Sequence, residues 1–452
     1  MQDCIVALAT ASGKGSVAIV RFSGEGSVDI ANQLFQATQG IPVTEFVPYK
    51  MYTGHIDCQK FYDFGYAVYF KAPKSFTGED TVELHCHGGT AIAQAILKQA
   101  TQLGARLAER GEYTKRAFLN GKLSLSSVEG LIYMINSESE AEVRAGASLY
   151  AEQLTKFVRK IQDKLTEILA SIEADIDFPE EDIEATALCD AKADLEDIYK
   201  NLQEKIASYY IGQKIKNGVR VLLVGRPNAG KSSLLNRLLQ QERAIVSSMQ
   251  GTTRDIIEAD IEIEGIKFIL TDTAGLREST DEIERIGINR AKQALKAANI
   301  VLYLIDASVG YQQEDRELLV EMPNTKKILI YNKVDIINDK KANKCDVNNF
   351  DDYLEISAQT GQNIDKLRKM LYKYASDGYQ IADTFIIEER HYSALTKASR
   401  ALLEGINICG LVPPDLLSIH LKECWQALGE ITGETANESI ISEIFEKFCV
   451  GK

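Results

Sequence analysis

The stretch VRVLLVGRPNAGKSSLLNRLLQ, residues 219–240, decides how this chain folds. Its first seven residues read as a buried strand, and the ten from Lys231 read as a helix. Between them runs G-x-x-x-x-G-K-S, from Gly225 to Ser232. A glycine-rich turn that leaves a strand and opens a helix presents backbone N–H groups and a positive helix end to phosphate. Lys231 is placed to reach the β and γ oxygens, and Ser232 to ligate Mg²⁺.

Working outward, ADIEIEGIKFILTD (259–272) reads as two strands turned at Gly265. NIVLYLID (299–306), KKILIYN (326–332) and YLEIS (353–357) are further strands with helical sequence between them. Residues 216–377 therefore form a doubly wound, Ras-like α/β unit. Base identity is read by NKVD, Asn332 to Asp335, which includes Lys333. The Asp335 carboxylate matches the N1–H and N2 amine of guanine, two donors that adenine lacks there. SAQTG follows the last strand and brings Ser357 and Ala358 to the base. GTTRD supplies Thr253 as a second Mg²⁺ ligand, and DTAG (Asp272, Thr273, Ala274, Gly275) senses the γ-phosphate. Five elements in this order make a GTP-binding domain. Its nucleotide contacts are expected from Asn228, Ala229, Gly230, Lys231, Ser232 and Ser233, and from Ser247, Ser248, Met249, Gln250, Gly251, Thr252 and Thr253. The residue after Gly275 is Leu276, where Ras uses a glutamine to orient water. Hydrolysis must then be assisted by another group.

The flanks have a different texture. Residues 1–120 mix short strands with one helical run and read as an α+β domain. Residues 121–215 are helical. Leu154, Phe157, Val158, Ile161, Leu165, Ile168, Leu169, Ile172 and Ile176 mark one face of a long helix, and Pro179 ends it. A second helical run spans about 187–211. Helical sequence returns in 378–452. The α/β unit is thus expected to be inserted into one helical domain built from both flanks.

Of a net charge of −14, all falls in those helical segments: 10 basic against 19 acidic residues in 121–215, and 6 against 11 in 378–452. Such segments repel nucleic acid, so an RNA partner needs a local basic surface elsewhere; they equally fit acidic helices that only keep a protein soluble. Eight cysteines without a C-x-x-C pair argue for reduced thiols. No signal peptide or membrane-spanning run is read, which points to the cytoplasm.

The chain resembles the tRNA-modification GTPase family MnmE, also called TrmE, over essentially its whole length. VRFSG (20–24), ELHCHGG (83–89), NGKLSL (120–125) and GRPNAGKSS carry the resemblance, with GTTRD, DTAGLRE, DEIERIG (281–287) and the terminal FCVGK. The resemblance implies a GTPase stimulated by K⁺ in place of an arginine finger. Asn228 matches the family's side-chain K⁺ ligand, and Ser247, Met249 and Thr252 the loop that completes the shell. Glu284 matches the catalytic glutamate, with Asp281 and Glu282 as neighbours. It also implies modification of the wobble uridine (position 34, a C5 aminomethyl or carboxymethylaminomethyl group) of certain tRNAs. The one-carbon unit comes from 5,10-methylene- or 5-formyl-tetrahydrofolate. The implied partners are tRNA, a second copy in a homodimer, and the FAD-containing MnmG (GidA), in a heterotetramer or larger complex without a membrane.

In the folate-binding-like N-terminal domain, Arg21, Glu83, Lys122 and the terminal Lys452 match folate-site positions. Cys449 is the implied activated thiol, set against a frayed terminus with an incidental cysteine. His85 and Cys86 depart from the family's glutamine–glycine pair. Glu83, His85 and His87 would share one strand face, which also suggests a metal site. From a different class, the alternative function is a GTP-dependent ribosome-assembly factor, an RNA-docking switch.

Overall fold

The computed structural model describes residues 3–177, 185–241, 258–272, 297–315, 325–337, 349–376 and 388–451. Contacts divide the chain into two units: Met1–Ile132, Leu149–Glu196 and Lys397–Lys452 in one, Tyr133–Ser148 and Asp197–Thr396 in the other.

The first unit contains a seven-stranded sheet. Its strands are β1 (Ile5–Leu8), β2 (Val17–Ser23), β3 (Phe35–Ala37), β4 (Met51–Asp57), β5 (Tyr62–Phe70), β6 (Thr81–His87) and β7 (Arg106–Leu107), in the order β3-β4-β5-β6-β2-β1-β7. All pairs are antiparallel except β1 with β7. Alternation in β2 and β6 fixes the faces. Ala18, Val20 and Phe22, with Val82, Leu84 and Cys86, are buried with Ile96 and Ala100 of helix Thr90–Gln102. Each large apolar side chain so buried contributes about 1.5–3 kcal/mol. The intervening Arg21, Glu83 and His85 are consequently turned to the opposite, more open face.

In the same unit, helix Gln153–Asp177 buries Leu154, Val158, Ile161, Leu165 and Ile172 at helical spacing. It packs along helix Pro414–Thr432, where Leu417, Leu421, Cys424, Leu428 and Ile431 are buried. Gln162 Nε2 donates to the Trp425 carbonyl at 3.2 Å. One helix from each sequence flank is thereby packed in the same unit, although residues 133–148, 197–215 and 388–396 of those flanks fall in the other. Helix Pro414–Thr432 ends at Gly433, whose φ of 96° permits the left-handed cap and whose N–H returns to the Gly429 carbonyl.

Arg116, buried, ties this unit's N-terminus together through Asp3 (2.8 Å), Glu112 (3.0 Å) and Glu79 (3.2 Å). Burial pushes the Glu112 carboxyl up, but hydrogen bonds from Arg106, the Glu109 N–H and Arg116 outweigh it and hold it below its ordinary value. A depressed carboxyl stabilises the fold above the unfolded value of about 4.3 and loses that contribution as pH falls through the folded value. Glu112→Gln is expected to cost about 2 kcal/mol at pH 7 and to flatten the fall of melting temperature on acidification. Thermal melts between pH 7 and 3 check this; an unchanged acid slope would show that Glu112 is not a titrating contributor.

The second unit is built on β8 (Val219–Gly225), β9 (Glu258–Ile263), β10 (Ile266–Asp272), β11 (Ile300–Asp306), β12 (Lys326–Asn332) and β13 (Asp352–Glu355). Their order is β13-β12-β11-β8-β10-β9, parallel except for β9. The strands read as continuous apolar runs because both faces are covered. Val221, Leu223, Leu302, Leu304, Ile328 and Ile330 face one core, and Leu222, Val224, Val301, Tyr303, Ile305 and Leu329 the other.

Helix Glu140–Tyr150 belongs to this unit over most of its length. Ser139 Oγ accepts from the Glu142 N–H, while the Glu142 carboxylate accepts from the Glu138 N–H and the Ser139 hydroxyl. This reciprocal cap sets the helix start against the β9–β10 turn, where the Ala141 N–H donates to the Gly265 carbonyl at 2.9 Å. Lys267 on β10 bridges Glu138 (2.6 Å) and Asp260 (2.8 Å). The helical run read near 187–211 is two helices, Ala185–Ala207 and Tyr209–Asn217, with Ser208 between them.

Candidate functional site

The nucleotide motifs converge at the carboxyl ends of β8, β10 and β12, where strand order reverses around β8. Asn332 (1% exposed) joins three of the motif loops. Its Nδ2 donates to the Ala229 carbonyl at 3.0 Å, and its Oδ1 accepts from the Ala358 N–H at 3.0 Å. Gly230 lies directly beneath it. A Cβ on Gly230 would stand 2.2 Å from Asn332 Nδ2, and its φ of 91° is itself in the left-handed region. Lys231 is buried, with Nζ donating to the carbonyls of Gly225 and Arg226 at 3.0 Å each. The exposed Ser232 hydroxyl donates to Oδ2 of the buried Asp272 at 2.7 Å.

The base-reading loop is equally fixed. Lys333 sits at φ 67° and its Nζ contacts Asp306 Oδ2 at 2.7 Å. Asp335 is exposed and accepts no hydrogen bond from the described residues. Ser357 is fully buried and its Oγ accepts from the Thr360 N–H at 3.1 Å; Arg237 Nε donates to the Ala358 carbonyl at 2.8 Å. Asn228 adopts φ 66°, a left-handed conformation that asparagine tolerates, and its exposed carboxamide has no hydrogen bond to the described residues. Ser233 is exposed on the first turn of helix Lys231–Gln241. Ser247, Ser248, Met249, Gln250, Gly251, Thr252, Thr253, Thr273, Ala274, Gly275, Glu284 and Lys452 lie outside the described residues.

On the open face of the N-terminal sheet, Arg21 Nε donates to Glu83 Oε1 at 2.7 Å, and His85 Nε2 approaches Glu83 Oε2 at 3.3 Å. β2–β6 register places Arg21 directly opposite Glu83. Arg21 also lies 5.7 Å from the Tyr113 ring centroid, and the Tyr113 hydroxyl donates to the Arg21 carbonyl at 2.6 Å. Burial pushes the Glu83 carboxyl up, but the His85 hydrogen bond and Arg21 outweigh it, and the net position is below the ordinary value. Lys122 does not join this pair; its Nζ donates to the Pro73 carbonyl at 3.1 Å. His87 turns instead to Asp63, Nδ1 to Oδ1 at 2.6 Å. Among the described residues no three His, Cys, Asp or Glu side chains could hold a metal ion together.

The C-terminal tail is docked within its own unit. Phe448 is buried with Leu125, Val128, Ile444 and Phe445. Val450 forms a bridge with Arg110, and a Cβ on Gly451 would lie 2.0 Å from the Leu8 carbonyl oxygen. Leu8 pairs with Val20, next to Arg21. Cys449, between these anchors, is exposed and carries a free thiol.

Residues 4–122 match the family described as GTP-binding protein TrmE N-terminus, and residues 125–449 the MnmE helical domain. Three proteins called tRNA modification GTPase MnmE align over the full length of both chains: those of Desulforamulus reducens and Natranaerobius thermophilus at 37% identity, and that of Clostridioides difficile at 36%. The chain belongs to the MnmE family of tRNA modification GTPases. Among solved structures, Aquifex aeolicus Era bound to GDP·AlF4⁻ is 28% identical, with TM-score 0.28, over 41% of this chain and 66% of that one. The G domain of the T. maritima FeoB iron transporter is 25% identical, with TM-score 0.27, over 35% and 98%. Among the described residues no helix is long and apolar enough to cross a membrane.

Motif reading missed the side chains that hold the MnmE-type motifs in place. Arg226, Tyr303, Asp306 and Asp315 carry no fingerprint of their own. Nor does Asp63, whose pairing with His87 removes the third member of the metal face read from alternation.

Proposed function

We propose that this chain hydrolyses GTP with help from K⁺, and that with an FAD-containing MnmG partner it modifies tRNA wobble uridine using a folate one-carbon unit. The observation that carries the GTPase half is the convergence of Lys231, Asp272, Asn332 and Ala358 on one end of the sheet. Lys231 would reach the β and γ oxygens; its Nζ is already held at the loop by the Gly225 and Arg226 carbonyls, which supports that role. Ser232, oriented by Asp272, would hold Mg²⁺ with Thr253. Asn228 offers a carboxamide oxygen at the mouth of the loop, which would bind K⁺ together with Ser247, Met249 and Thr252. A cation there stabilises charge developing at the β–γ bridge, the work an arginine finger does elsewhere. Glu284 would orient the attacking water.

The folate half is supported by the paired Arg21 and Glu83 on an open sheet face. Glu83 suits pterin N–H donors, while Lys122 and Lys452 suit the glutamate carboxylates. The docked tail supports Cys449 acting near that face. The reading further includes homodimer formation, the 5,10-methylene or 5-formyl form of tetrahydrofolate, and action in the cytoplasm.

Steady-state GTP hydrolysis in K⁺ and in Na⁺ at equal ionic strength tests the mechanism. A K⁺-specific rate is expected, and Asn228→Ala should lower it about 10²-fold. Equal rates in both salts would remove the cation mechanism.

A further inference from the structure

Arg226 is the second residue of the phosphate-binding loop, yet its side chain leaves that loop. Its Nε contacts the Asp315 carboxylate at 3.1 Å and its Nη2 donates to the Gly310 carbonyl at 2.9 Å. Asp315 is fully buried. The Tyr303 hydroxyl donates to its Oδ1 at 2.8 Å, and the Gln312 N–H to its Oδ2 at 2.9 Å. At the other end of the segment 306–315, Asp306, at the end of β11 and partly exposed, holds Lys333 Nζ at 2.7 Å. The Asp306–Asp315 segment is therefore fastened at one end to the base-reading loop and at the other to the phosphate loop.

The attachment reaches the atoms that would meet nucleotide. The Arg226 carbonyl accepts from Lys231 Nζ, so whatever fixes Arg226 also fixes an oxygen that holds the lysine. A carboxylate as buried as Asp315 cannot lose its cation without leaving charge uncompensated, so the two segments are constrained to keep one arrangement. Neither aspartate lies in the G-x-x-x-x-G-K-S or NKVD signature.

We propose that Asp315 and Asp306 are positioning residues for GTP, acting through Arg226 and Lys333 to hold the phosphate loop and the base loop at one spacing. This rests on the nucleotide reading above. The effect falls on binding more than on chemistry, because both carboxylates act on the spacing of the loops that hold the nucleotide, through Arg226 and Lys333.

The test uses the full chain and a fluorescent GTP analogue, at a temperature where melting curves show every variant folded. Asp315→Asn and Asp306→Asn are each expected to raise Kd about tenfold, with kcat at saturation changed less than about threefold. In an Arg226→Met background, Asp315→Asn should add little, because its route is already cut, whereas Asp306→Asn should retain its full factor. If Asp315→Asn does not fold, the Arg226→Met/Asp315→Asn pair, which removes both charges, carries the test with the same expected loss. Kd within twofold of the parent chain for the folded Asp315 variant, single or paired, overturns the proposal. If the parent chain itself fails to bind the analogue, the nucleotide reading falls instead.

Discussion

Gly230→Ala is expected to abolish useful guanine-nucleotide binding. The added methyl would stand 2.2 Å from Asn332 Nδ2, which real structures do not allow. Asn332 cannot rotate away cheaply, because it is buried and both ends of its carboxamide are in use, on Ala229 and Ala358. Freeing it breaks two buried hydrogen bonds, together about 4 kcal/mol, or roughly 10³-fold in affinity. The φ of 91° adds strain for any side chain. Because Asn332 joins three loops, phosphate and base recognition should fail together. Calorimetric titration with GDP and GTP checks this, and affinity within threefold of the parent chain would refute the packing argument.

Gly451→Ala is expected to release the C-terminal tail while leaving GTP hydrolysis within about twofold. Here the clash, at 2.0 Å, is with a main-chain oxygen of Leu8, held in the sheet by its pairing with Val20. No rotamer relieves it, and the φ of 100° excludes an unstrained alanine. The Val450–Arg110 bridge should open with it. Carboxypeptidase should then trim the terminus about tenfold faster, the size of one or two lost hydrogen bonds. On the proposed function, wobble-uridine modification should disappear in the same variant. A tail trimmed no faster than in the parent chain would mean that docking survives the substitution.

The two glycines mark how far the sequence could be read. Gly230 belongs to a signature whose spacing implies its chemistry, and the strands around it are apolar runs that parallel packing explains. β8, β10, β11 and β12 were therefore legible. Ile5–Leu8 and Met51–Asp57 were not, being a four-residue apolar run and a strand interrupted by Gly54, His55 and Asp57. Gly54 has a reason visible only in space: its Cβ would meet the Gln36 carbonyl at 2.3 Å. The Arg21–Glu83 pair entered through family resemblance, since nothing in 62 residues of separation announces a cross-strand contact. Arg226 with Asp315, 89 residues apart, had neither motif nor resemblance to reveal it. Buried ion pairs are set by tertiary packing, and their partners look like ordinary surface charges in a linear reading.

The capped start of helix Glu140–Tyr150 sits on the one turn of the sheet that lies, in sequence, between GTTRD and DTAG. Eleven helical residues make an arm about 16 Å long. Lys267, gripping both Asp260 and Glu138, fastens the same hairpin to the residue just before the capped helix, so a main-chain bond and an ionic clamp hold that junction inside one unit.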